Sequence, residues 1–289
     1  MESLEEKIQG FKAWLVNRGR ATDTADGYAN DVKATYRHPQ APLGRLRDKT
    51  LAPKTLRRSV ASLRAWCKFT KDSALLEQIS DIRLPPPMRK VAKVPLTREE
   101  WDELVEEIDK AHYVSPYERA CLGIMAVRGI RVGDVLRMKR VDLANAKASG
   151  VLSYEAKTGK RIELSIKPIA EYIDILLKEE GWECVRDLIS SRSQIPGAKQ
   201  DSASQQLSRA LKKVGEKIGI RGKELYPHRL RRTYASHFLV AAGNDLEKLR
   251  QHMSWSNIGT ASGYADHSRA AELDEIADKM MKKKNLKGD

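Results

Sequence analysis

His228 and Arg231 stand three apart in a stretch where Leu230, Tyr234, Phe238 and Leu239 recur at near-helical spacing. Residues three apart share a helix face, so an imidazole and a guanidinium project into one place. A guanidinium fork matches the oxygens of a phosphate, and an imidazole can donate to such an oxygen or shuttle a proton. Further on, Trp255 precedes a polar turn, and Tyr264 follows between Gly263 and Ala265. A phenol flanked by small residues is open to a bulky substrate. The plainer reading is an amphipathic tyrosine, half buried, with its hydroxyl satisfied. Upstream, Arg131 and Asp134 are again three apart, so the carboxylate can hold the guanidinium in one orientation or form an ordinary surface pair. The chain has no H-E-x-x-H, no paired carboxylates for magnesium and no glycine-rich phosphate loop before a helix. Metal-assisted nuclease and nucleotide-hydrolysing chemistries are therefore poorly supported, and no cofactor is expected.

The order of these residues resembles the C-terminal signature of the tyrosine recombinases, the phage integrase and Xer-type family. His228-Arg229-Leu230-Arg231 is similar to the family's H-x-L-R, Gly243 to Leu246 to its G-x-D-L turn, and Met253 to Thr260 to its L-G-H-S-x-x-x-T-T segment. The run from Arg128 to Leu136 resembles T-G-L-R-x-x-E-L, with Arg131 at the arginine and Asp134 at the acidic position. One departure is Trp255, which stands where the family commonly has a second histidine. Ala156-Lys157-Thr158-Gly159-Lys160 resembles a turn that carries a catalytic lysine, which assigns Lys157, with Lys160 as the fallback.

The resemblance implies phosphoryl transfer without metal or ATP. Arg131 and Arg231 would cradle the scissile phosphate, and Tyr264 would attack it to leave a 3′-phosphotyrosyl link. His228 would take the phenolic proton, and Lys157 would protonate the leaving 5′-oxygen. Trp255 would bond the phosphate or buttress Tyr264, and Asp134 would orient Arg131. The implied fold is mainly α: an N-terminal helical core-binding bundle, then a mainly α catalytic domain with a small antiparallel β-sheet. The implied partner is double-stranded DNA with paired recombination sites, acted on by a homo-tetramer through a Holliday junction. A type IB topoisomerase-like nicking-closing enzyme and an inactive DNA-binding paralogue are the alternatives.

The elements that must position these residues are legible in part. Ser3-Leu4-Glu5-Glu6 is a capping box that opens a helix to about residue 17, with Leu4, Ile8, Phe11 and Leu15 on one face. Helical periods continue over about 22–37 and 53–69. The last of these carries Lys54, Arg57, Arg58, Arg64 and Lys68 opposite its apolar face, either as solvated charge or as DNA-backbone contacts. Three consecutive prolines, Pro85 to Pro87, break the chain. They divide it into an N-terminal DNA-binding domain (1–83), a linker (84–94) and a catalytic domain (95–289). In the second part, Thr97 opens another capping box and Pro116 an apolar helix. The period then changes to two on either side of the Lys157–Lys160 turn, which predicts a hairpin over 151–166. Helices are expected at 168–178 and 202–218. Ala271, Leu273, Ile276, Ala277 and Met280 form an apolar stripe on a terminal helix that, in the family, docks on a neighbouring protomer.

Charge agrees with a polyanionic partner: the formal net charge is +14. The excess is sharpest between Arg45 and Lys90, with 12 basic against 4 acidic side chains. Three widely spaced cysteines without a C-x-x-C argue for reduced thiols and against a disulfide frame or a zinc site. The acidic N-terminus is unlike a signal peptide, and no apolar run approaches membrane-spanning length. A cytoplasmic, nucleoid-associated protein is expected.

Overall fold

The computed structural model describes residues 3–48, 50–85, 94–156, 159–191, 202–220 and 225–264. Lys157, most of the expected linker and the apolar stripe beyond Tyr264 lie outside these residues. The chain divides into two compact units, Met1–Val91 and Ala92–Asp289.

The first unit contains α1 (Leu4–Asn17), α2 (Thr22–Tyr36), α3 (Gly44–Arg47), α4 (Pro53–Thr70) and α5 (Ser73–Ser80). Local chemistry starts α1: the Ser3 hydroxyl accepts from the Glu6 N–H, and the Glu6 carboxylate accepts from the Ser3 N–H. Pro53 begins α4, where its missing N–H costs nothing. Phe11 is fully buried and meets Trp66 of α4 edge-on, with ring centroids 5.3 Å apart. One polar cluster joins α2 to α4. Asp31, 2% exposed, accepts two bonds from the Arg58 guanidinium, at 2.7 and 2.8 Å, and one from the Ser62 hydroxyl at 3.1 Å. Such partners offset the cost of burying a carboxylate.

The second unit begins with α6 (Arg98–Lys110), α7 (Pro116–Arg128), α8 (Val132–Val135) and α9 (Arg140–Ser149). Strands β1 (Val151–Glu155) and β2 (Arg161–Ser165) follow, then a 3₁₀ turn (Lys167–Ile169) and α10 (Ala170–Leu177). The unit continues with α11 (Val185–Ser191), α12 (Ala203–Lys217), α13 (Pro227–Ala241) and α14 (Leu246–His252), and residues 258–264 are helical. The α7 helix is buried all round from Ala120 to Ala126 and packs against α6, α10, α12 and α13. A helix with no polar face belongs in a core. The strands form the antiparallel hairpin that the alternation predicts, in a register running from Val151 opposite Ser165 to Glu155 opposite Arg161. Leu152 and Tyr154 are buried, while Val151 and Glu155 are exposed.

Six short helices were not anticipated: α3, α5, α8, α9, α11 and α14. They have four to ten residues each, too short for a helical period to stand out. The start of the second unit is fastened to α13. The Leu96 N–H donates to the Thr233 hydroxyl at 3.1 Å, and His237 Nε2 donates to the Leu96 carbonyl at 3.1 Å. Cys67, Cys121 and Cys184 are free thiols. Among the described residues, no helix is long and apolar enough to cross a membrane.

Candidate active site

Helix α13 presents the first pair. Tyr226 is its N-cap and Pro227 occupies its first turn, which leaves His228 exposed at the helix start. Arg231, one turn further in, is 6% exposed. Its guanidinium donates to the Gly129 carbonyl at 2.6 Å and to the Met253 carbonyl at 3.2 Å. Gly129 ends α7 at φ +60°, and a Cβ there would lie 2.5 Å from the Tyr234 ring. Only glycine satisfies both the backbone and the close approach. Burial, reinforced by the nearby Arg131 charge, pulls the Arg231 pKa down to about 10. It is still a cation at neutral pH.

Arg131 is the N-cap of α8, with its side chain 36% exposed and 3.7 Å from the Asp134 carboxylate. Asp134, 2% exposed, also pairs with Arg137 and does so more closely. The expected orienting contact is therefore shared between two arginines. Arg131, Asp134, Arg137, His228 and Arg231 line one cavity of about 250 Å³. Three guanidinium groups and an imidazole, against the single carboxylate of Asp134, suit an anionic, phosphate-like group.

Trp255 and Tyr264 complete the arrangement. Ser254 sits at φ +53°, a left-handed conformation that costs a non-glycine residue about 1 kcal/mol. The turn it makes lets the Trp255 N–H bond to the Arg250 carbonyl at 2.9 Å, and Arg250 donates back to the Trp255 carbonyl at 3.0 Å. The indole is 5% exposed and stacks on Tyr264, with centroids 5.1 Å apart and planes 24° apart. The Arg231 guanidinium lies 5.7 Å from the Trp255 ring centroid. Of the two roles expected for Trp255, buttressing would use this stack on Tyr264.

The sequence suggested an open phenol, but Tyr264 is 7% exposed. Gly263 does leave open space around its own Cα. Tyr264 packs instead in a cluster with Ala235, Leu239, Leu249, Met253 and Trp255, and Arg232 lies over its ring. Burial raises the Tyr264 pKa, while the charges of Arg232, Arg231 and Arg131 oppose that rise. Arg232 passed unnoticed in the sequence, although it adjoins Arg231. The carbonyls of Gly129 and Met253 were equally invisible there, since backbone acceptors carry no residue signature.

Lys157 is outside the described residues. Lys160 is exposed, and its carbonyl accepts from the Ala156 N–H at 2.9 Å. On α4 of the first unit, the five basic residues separate into two groups. Arg58 is forked onto Asp31, and Arg57 donates to the Pro85 carbonyl. Lys54 and Lys68 are exposed, and Arg64 is partly so.

Residues 95–271 match the profile of the phage integrase family. The chain belongs to the phage integrase family. Relatives include the tyrosine recombinase XerA of Thermococcus kodakarensis, 25% identical over 97% of this chain and 99% of that protein. The tyrosine recombinase XerC of Erythrobacter litoralis is 27% identical over 94% of this chain and 91% of its own. In fold, the chain is similar to the lambda integrase bound to DNA, with TM-score 0.62 and 20% identity over 92% of this chain and 96% of the other. It is also similar to XerH bound to a palindromic difH substrate, with TM-score 0.56 and 16% identity over 88% and 77%. Membership fixes the class of the protein as a DNA strand-transferring enzyme whose reaction is site-specific recombination. It does not favour the topoisomerase-like or inactive alternatives.

Proposed function

We propose that this integrase-family chain cleaves and rejoins DNA through Tyr264. The observation that carries the reading is the convergence of Arg131, His228 and Arg231 on one cavity, with Tyr264 inside the field of both arginines. The phenolate oxygen attacks phosphorus, with Arg131 and Arg231 neutralising charge that develops on the non-bridging oxygens. A phosphorus–oxygen bond to Tyr264 forms as the bond to the 5′-oxygen breaks. The departing pair stays on that oxygen, which takes a proton from Lys157. His228 accepts the phenolic proton. The 3′-phosphotyrosyl link conserves the energy of the original ester, so a 5′-hydroxyl from another strand can reverse the step without ATP.

The first unit would clasp duplex DNA with Lys54, Arg64 and Lys68, aided by Arg57 and Arg58. The second unit would carry the chemistry. A lambda integrase tetramer bound to a Holliday junction shares the fold, with TM-score 0.54, and supports a homo-tetramer on paired sites as the working form. Docking of residues 269–289 on a neighbouring protomer would link its members. The protein would act on nucleoid DNA in the cytoplasm.

The test is to incubate the protein with sheared genomic DNA, denature it, and sequence the junctions of covalent adducts. Tyr264→Phe should abolish the adduct and leave DNA affinity within about threefold, since one hydroxyl adds little binding area. An adduct of normal yield in that variant would place the nucleophile elsewhere.

A further inference from the structure

Arg231 and Arg232 are consecutive on α13, yet they address different rings. At 3.6 residues per turn, neighbours point about 100° apart. Arg231 lies 5.7 Å from the Trp255 ring centroid and Arg232 lies 5.7 Å from the Tyr264 ring centroid. The two rings are stacked on each other. A cationic residue therefore stands on each member of the aromatic pair.

The charged groups around the phenol have different obligations. Arg131 is paired with Asp134. Arg231 is held by two backbone carbonyls and faces the cavity it shares with Arg131 and His228. An anionic phosphate bound in that cavity would cancel much of the field that these two arginines exert on Tyr264. Arg250, beside Trp255, is already forked onto Glu247. Arg232 does not line that cavity, and its Nε is buried with no hydrogen-bond partner among the described residues. It lies over the Tyr264 ring. A guanidinium beside an aromatic face is attracted to the ring electrons, and more so once the ring carries a phenolate charge.

We propose that Arg232 is a positioning residue that holds the Tyr264 ring and stabilises its phenolate form, so that the nucleophile stays activated after the scissile phosphate has occupied Arg131 and Arg231. The role rests on Tyr264 being the nucleophile. Burial makes this phenol harder to ionise, and of the three arginine charges that oppose burial, Arg232 contributes most. The phenolic proton passes to His228; Arg232 exchanges no proton.

The experiment places a fluorotyrosine at position 264 of the full chain, where fluorine NMR follows that one phenol through its titration without any DNA. Arg232→Gln should raise the midpoint by about one pH unit, and Arg232→Lys, which keeps a charge but not the planar fork, should raise it by less. Next, single-turnover cleavage is measured on a nicked duplex built from the sequence recovered in trapped adducts. Arg232→Gln should cleave about tenfold more slowly at neutral pH, the rate equivalent of one pH unit. A more acidic difluorotyrosine at position 264 should bring that variant back to within about threefold of the parent. An unchanged NMR midpoint in both variants, or a cleavage deficit that difluorotyrosine leaves intact, would overturn the role of Arg232 and reduce it to packing. Adduct formation by Tyr264→Phe would instead overturn the nucleophile and this proposal together. The two failures are thus told apart.

Discussion

The Arg231 guanidinium is bonded to the carbonyl of Gly129, 102 residues earlier in the chain, at 2.6 Å. With the second bond to the Met253 carbonyl, this fixes the cation by backbone groups from two separate turns. A buried arginine held this way cannot swing to meet a substrate; the substrate must come to it. Arg231→Lys keeps the charge but loses the planar fork whose two nitrogens meet the two carbonyls. Adduct formation should fall by at least about a hundredfold while duplex binding changes little. Single-turnover cleavage beside a gel-shift titration checks this, and near-normal cleavage would remove Arg231 from the phosphate site.

Trp255 separates packing from chemistry. Trp255→Phe retains a ring to stack on Tyr264, whereas Trp255→Ala opens a cavity beside both Tyr264 and Arg231. Truncation should cost about 3 kcal/mol of stability and most of the cleavage rate, and the phenylalanine variant should stay within about tenfold of the parent. Urea unfolding and cleavage assays on the two variants measure this. Equal loss in both would mean that the indole N–H matters and the stack does not.

The basic face of α4 should not act uniformly. Neutralising Lys54, Arg64 and Lys68 should lower the salt dependence of DNA binding by about one charge each. Arg58 is already engaged by Asp31, so Arg58→Gln should flatten the slope less. Asp31→Asn, which strips the charge from a 2% exposed site, should destabilise the first unit by about 2 kcal/mol, a figure reduced because the Arg58 side chain is 59% exposed. Affinity measured across a salt series and the unfolding midpoint of Asp31→Asn are the readouts. An equal slope change at all four basic positions would contradict this division.

His237 supplies a pH dependence. Burial pulls its pKa below the ordinary 6.5, against the smaller upward pull of its bond to the Leu96 carbonyl. A depressed pKa means that the unfolded chain binds the proton more readily. The stabilising contribution is thus fully present above about pH 6.5 and is lost as pH falls through the lower folded value. Unfolding midpoints should decline between about pH 7 and 5, and His237→Gln, which keeps a donor but cannot charge, should flatten that decline. A decline of the same size in both proteins would assign it to other groups.

The sequence by itself determined the class of chemistry, the helical character of both units and the hairpin. The chemistry follows from the resemblance carried by the ordered residues from Arg131 to Tyr264. The elements follow from short spacings, such as the Ser3 and Thr97 capping boxes and the alternation on either side of Lys157. Periodicity reports only which face of one element is apolar. It says nothing of which distant element supplies the cover. Hence only the tertiary structure decided that Tyr264 packs on Trp255 with Arg232 over its ring, and that Arg231 is anchored to the carbonyls of Gly129 and Met253. The same holds for Arg58, which engages Asp31, and for Asp134, which divides itself between Arg131 and Arg137. Each of these depends on packing between segments that meet only after folding. Their partners are backbone carbonyls, ring faces or carboxylates whose distance along the chain carries no signal.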